Sequence, residues 1–191
     1  GEQPVEVGGE SYLIQTRYSL AALPMQQVTR YAYEQFERLG LATEYFTYTL
    51  PLADGPRRNV IAEQPGVSDP DRIYLITAHL DSRSGDPFSL APGADDNASG
   101  STAVLIAAET LSRLRFDYTL RYVLFTGEEQ GLVGSTAYAE ALYTAGEDVA
   151  GVINLDMIGY NSDPIPIIDL HARDDNPGSR ALAELLSLIH I

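Results

Sequence analysis

The sequence predicts an α/β fold, with a mostly parallel central sheet flanked by helices and an antiparallel hairpin at one edge. Three observations predict it. Nearly unbroken apolar runs at residues 73–78, 119–126 and 149–155 read as strands buried on both faces. Between them, apolar residues recur at the three- and four-residue intervals of a helix. Polar residues able to carry chemistry stand just beyond the end of each run, where open α/β sheets place ligand sites.

Taken in order, residues 1–10 are polar around Gly8-Gly9 and read as a loose arm. From 11 to 40 the spacing is helical, with a break at Pro24 and a stop at Gly40, which predicts two helices. Val28, Tyr31, Phe36 and Leu39 share one face of the second. Residues 42–50, rich in Tyr, Phe and Thr, and residues 58–64 flank a turn and make the hairpin. The strand at 73–78 ends at His79. A loop rich in Ser, Gly, Asp and Pro leads to Gly93-Ala94-Asp95-Asp96-Asn97-Ala98-Ser99-Gly100. A helix follows through Val104, Leu105, Ala108, Leu111 and Leu114, with Asn97 or Asp96 suited to cap it. The strand at 119–126 ends at Gly127-Glu128-Glu129, a helix covers 131–143, and the strand at 149–155 ends at Asp156. A short strand at 165–170 and a helix from Gly178 onward complete the pattern. Alternation of strand and helix from Ile73 makes the connections βαβ.

A length of 191 residues suits a single domain, 1–191. Residues 182–191 are amphipathic and stop without a Gly or Pro terminator, so the domain is expected to lack its C-terminal part. Twelve basic against 27 acidic residues give a net charge of −15, which excludes nucleic acid and an anionic membrane surface as partners. The absence of cysteine excludes disulfides, thiolate catalysis and Cys-type zinc. It leaves the compartment open, and an extracellular or periplasmic setting is expected. No apolar run reaches the ~18–20 residues of a membrane span. An uncovered strand edge makes self-association an expectation.

Two adjacent carboxylates in the 93–100 stretch need a counter-charge, and a divalent cation supplies one. His79 and Asp81, two apart at a strand end, leave the same face. One can bind the cation while the other receives the remaining imidazole N–H. Asp95, at the tip of a tight turn, can bridge two ions about 3.5–4 Å apart. Of the neighbours Glu128 and Glu129, one is placed to join the cluster and the other to act as general base. With Asp156, the donor set suits zinc, cobalt or manganese.

Four stretches together resemble the M28 family of zinc peptidases, which includes bacterial leucyl-type aminopeptidases: Thr77-Ala78-His79-Leu80-Asp81-Ser82, Pro92 to Gly100, Phe125-Thr126-Gly127-Glu128-Glu129-Gln130-Gly131, and Asn154-Leu155-Asp156-Met157-Ile158-Gly159. The resemblance covers residues 73–160. It implies a zinc exopeptidase-like fold and two zinc ions per site. One ion would be held by His79, Asp95 and Asp156; Asp95 would bridge to the second, held with Glu129. Glu128 would be the base and Asp81 the orienter of His79, with a cis peptide bond after Asp95. A further histidine that completes the second zinc site in the family has no counterpart here, because His171 and His190 follow Asp156 too soon. One metal site is therefore expected to be one ligand short.

Each candidate also has a plain structural reading. His79 can be a core histidine, Asp96 a helix cap or an outer hydrogen-bond acceptor, His171 a loop histidine and His190 a terminal one. Asn97-Ala98-Ser99 fits a glycosylation sequon but lies inside the metal loop. The expected activity is removal of N-terminal residues from a peptide by a metal-activated water. The alternatives are a glutaminyl-cyclase-like acyltransferase with one zinc, and a catalytically silent binding domain on a peptidase fold.

Overall fold

The computed structural model describes residues 3–162 and 167–188, and the chain divides into two compact units, Gly1–Gly159 and Tyr160–Ile191. The first unit holds a five-stranded mixed sheet. Its strands are β3 (Ala42–Tyr48), β4 (Arg57–Gln64), β5 (Asp69–His79), β6 (Tyr118–Phe125) and β7 (Asp148–Asn154), in the spatial order β3-β4-β6-β5-β7. The β3–β4 and β4–β6 pairs are antiparallel; β5 pairs in parallel with both β6 and β7. The hairpin thus forms one edge, as the sequence predicts.

Burial alternates with the two-residue period of a strand. One face carries Val60, Ala62, Ala78, Tyr122 and Leu124, which pack with Val28, Ala32 and Phe36 of α1 (Ala22–Arg38) and Val104 and Ala108 of α2 (Gly100–Leu111). The opposite face carries Ile61, Ile73, Leu75 and Val123, covered by Tyr138 and Leu142 of α3 (Val133–Ala145). The sheet therefore has helices on both faces. No described helix is long and apolar enough to cross a membrane.

The N-terminal region departs from expectation twice. In place of a loose arm, β1 (Val5–Val7) pairs antiparallel with β2 (Glu10–Tyr12). Gly8 and Gly9 take the turn at φ 61° and 81°, the backbone that two-residue hairpins demand. The Gly8 amide donates to Glu34 of α1, which ties the hairpin down. In place of two helices there is one, with Pro24 inside its first turn. The missing N–H costs nothing there, because first-turn amides have no helical partner. The helix ends at Arg38, with Gly40 just past its cap at φ 76°.

In the second unit, α4 (Pro177–Leu188) forms where a helix is predicted. The predicted strand at 165–170 does not form over residues 167–170, which are exposed and pair with no described strand; residues 165 and 166 lie outside the described residues.

Candidate metal centre

The parallel ladder decides which residues meet. His79, the last residue of β5, stands level with Phe125 of β6, and Thr77 stands level with Asn154 of β7. Glu128 therefore follows three residues after the position level with His79 on one side, and on the other Asp156 follows Asn154 by the same two residues by which His79 follows Thr77. The Leu155 amide donates to Thr77 O at 2.8 Å, and Ser101 Oγ–H of α2 donates to His79 O at 2.7 Å. Both bonds hold the strand end rigid.

The Nδ1 side of His79 is buried. Nδ1 lies 3.1 Å from Asp81 O and 3.6 Å from Asp81 Oδ1, so the hydrogen bond goes to the carbonyl while the carboxylate adds its charge. Asp81 is fully buried, and its oxygens receive Ser19 Oγ–H at 2.9 Å and the Glu128 and Glu129 amides at 3.3 Å. Ser19 Oγ in turn receives the Gly127 amide at 2.8 Å. Gly127, at φ 74°, permits the turn that aims these amides inward. Arg17 staples the intervening loop at both ends, donating to Leu80 O at 2.8 Å, to Pro92 O and to Gly93 O at 3.0 Å.

The Nε2 side is open. Nε2 lies 3.0 Å from Asp96 Oδ1, 3.4 Å from Asp156 Oδ1 and 4.0 Å from Glu128 Oε2. One ligand atom each of His79, Asp96 and Asp156 falls within 4.8 Å of the other two. Zinc bonds of about 2.0–2.2 Å set tetrahedral ligand atoms about 3.3–3.6 Å apart, so the group fits such an ion with little adjustment. Burial works against charging His79, but the hydrogen bond and charge of Asp81, with the charges of Asp156 and Glu128, outweigh it and hold the imidazole up at about 9. Burial raises the carboxyl pKa of Glu128, and Asp81, Asp156 and Asp96 raise it further against the pull of His79. Burial also raises Glu129, with Asp96 its leading charged neighbour.

Of the residues singled out in the sequence, the fold brings together His79 and Asp156, with Glu128 at their edge and Asp81 behind. Glu129 stands outside the three-residue cluster. Asp95 is not one of the three, and its neighbour Asp96 is. Within the irregular turn at 94–99, Asp96 (φ −98°, ψ 95°) and Asn97 (φ −131°, ψ 51°) leave helical geometry, so adjacent side chains part company. Asp95 Oδ1 instead receives the Gly159 amide at 2.7 Å. The cis peptide bond likewise falls at Asp96–Asn97, one residue later than expected. Asn97 is fully buried, with its amide engaged by Leu155 O, Gly100 N and Met157 N. His171 belongs to the second unit, and His190 lies outside the described residues. Arg17 and Ser19 went unnoticed in the sequence, since neither stands in a motif.

Residues 59–189 match Peptidase family M28. A probable zinc metalloprotease of Pyrenophora tritici-repentis is 39% identical over 107 residues, which are 54% of this chain and 22% of that protein. The match thus spans about a fifth of the length of that curated relative. Two solved structures from Bacteroides thetaiotaomicron share the fold. A leucine aminopeptidase precursor and a glutaminyl cyclase each have a TM-score of 0.64 at 20% identity, over 78% of this chain and 59% of theirs.

Proposed function

Because the chain belongs to Peptidase family M28, we propose that it is a zinc-dependent peptidase domain that removes N-terminal residues from peptides. The observation that supports the reading best is the meeting of His79 Nε2 with the Asp96 and Asp156 carboxylates on the open side of the sheet edge. These three residues would hold one ion, and Glu129, whose leading charged neighbour is Asp96, would help to hold a second. Zinc in such a site supplies Lewis acidity, which makes water nucleophilic near neutral pH and polarises a carbonyl.

The chain's own residues do the rest. Glu128, 4.0 Å from the imidazole, takes the proton of the attacking water and returns it to the leaving amine. Its raised pKa strengthens it as the proton acceptor, since a carboxylate of very low pKa takes up a proton only weakly. Asp81 keeps the imidazole aimed, and through the amides of residues 128 and 129 it also sets the place of the base.

The test is zinc content with hydrolysis of leucine p-nitroanilide, with and without chelator. Chelator-sensitive cleavage is expected, and Glu128→Gln should lower kcat about 10²- to 10⁴-fold with zinc content unchanged. Cyclisation of an N-terminal glutaminyl peptide without cleavage would assign the glutaminyl-cyclase chemistry instead. Protein that takes up no zinc would leave a silent binding domain.

A further inference from the structure

Just past Asp156, three consecutive amides point into the loop that carries Asp96. The Met157 N–H donates to Asn97 Oδ1 at 3.4 Å, Ile158 N–H to Ser99 Oγ at 3.1 Å and Gly159 N–H to Asp95 Oδ1 at 2.7 Å. Met157 has φ 50°, uncommon outside glycine, and such a turn aims successive N–H groups toward one side. Asn97 Nδ2–H returns a bond to Leu155 O at 2.9 Å. The two loops are therefore laced at four points. The shortest link ends on a carboxylate, and hydrogen bonds to charged acceptors are the stronger kind.

β7 ends at Asn154, and only the Leu155 amide, donated to Thr77 O at 2.8 Å, carries the pairing with β5 one residue further. Past that bond, what ties the Asp156 loop to the loop that carries Asp96 is this lacing. We propose that Asp95 is a positioning residue and not a ligand: by receiving the Gly159 amide it holds the Asp156 loop at the distance from Asp96 and His79 that a shared cation requires. The proposal rests on the zinc-peptidase reading above. Asp95 is free for this role, since among the described residues it forms no ion pair. Ser99 supports it from the same turn, donating its own hydroxyl to Asp95 O at 2.7 Å while receiving Ile158. Gly159 has no room for a side chain: a Cβ there would come within 2.9 Å of Ser99 Cβ and 3.2 Å of Asp95 Oδ1.

Zinc affinity measured by competition with a chromophoric chelator, at fixed pH, separates positioning from ligation. Asp95→Ala should weaken zinc binding about 10- to 100-fold, the usual cost of losing a partner that orients a ligand. Asp95→Asn keeps an oxygen for the Gly159 amide and should stay within about threefold of the parent, a rescue that a lost ligand would not show. Gly159→Ala should weaken binding with every side-chain ligand intact. Amide hydrogen exchange at Gly159 should speed up in Asp95→Ala and not in Asp95→Asn. Equal zinc binding by the parent and Asp95→Ala overturns this inference alone, as does Asn proving as harmful as Ala. A parent protein that binds no zinc overturns the peptidase reading beneath it as well.

Discussion

On one side of the His79 imidazole sits Asp81, 0% exposed, with its oxygens taken by a serine hydroxyl and two backbone amides. On the other side sit Asp96 and Asp156, their side chains 48% and 45% exposed, and among the described residues only the imidazole comes within ion-pair distance. All three are aspartates within reach of the same ring. The difference lies in who satisfies their lone pairs. A buried carboxylate filled by the protein's own donors is part of the scaffold. Carboxylates that converge with the imidazole as their one charged partner repel one another and favour a cation between them. Asp95 belongs with Asp81 by this criterion, because a backbone amide already holds it.

The largest effect is expected at Asp81, in the metal-free protein under urea. Asp81→Ala strands Ser19, two amides and the imidazole in a buried place, and should cost about 3–5 kcal/mol of stability. A loss below 1 kcal/mol would return Asp81 to the same class as the open pair.

The second test is pH. His79 keeps its proton to about 9 when folded, against about 6.5 for a free imidazole. A raised pKa contributes stability that is complete below pH 6.5 and is lost as pH climbs through 9. The loss should not exceed about 3 kcal/mol. Urea midpoints of the metal-free protein should fall across that window, and a flat or rising profile would show that Asp81, Asp156 and Glu128 do not hold the charge.

A third test addresses the lacing. A Cβ on Gly100 would come within 2.3 Å of Leu155 O and 2.4 Å of Asn97 Oδ1, so Gly100→Ala should cost about 1–3 kcal/mol by overpacking. The smallest effect on folding is expected at the open pair. Asp156→Ala should change metal-free stability by no more than about 1 kcal/mol, because the loss of its pull on the imidazole is offset by relief of its repulsion with Asp96. Its zinc binding should nevertheless fall more than about 100-fold, beyond the usual cost of an outer partner.

The strands and helices were legible because burial on two faces leaves an unmistakable apolar run and a helix leaves a three- and four-residue rhythm. His79 and Asp156 were legible as candidates for the same reason: each ends such a run, and parallel pairing brings those ends to one edge. Asp95 and Asp96 could not be told apart by spacing, since the turn that separates their side chains is irregular and its geometry is not written in residue types. Arg17 and Ser19 act on groups 62 to 108 residues away in the chain, which no local pattern reports. Pro24 misled because proline breaks a helix everywhere except in its first turn. Gly8-Gly9 carried a hairpin signal that the polar composition around it hid.

Anomalous scattering at the zinc edge, from crystals of the protein grown with zinc, tests the central claim most directly. The expected result is a peak bonded at about 2.0–2.2 Å to His79 Nε2, to one oxygen of Asp96 and to one of Asp156. A peak on the Asp95 carboxylate, or density that leaves the imidazole of His79 unligated, would contradict it.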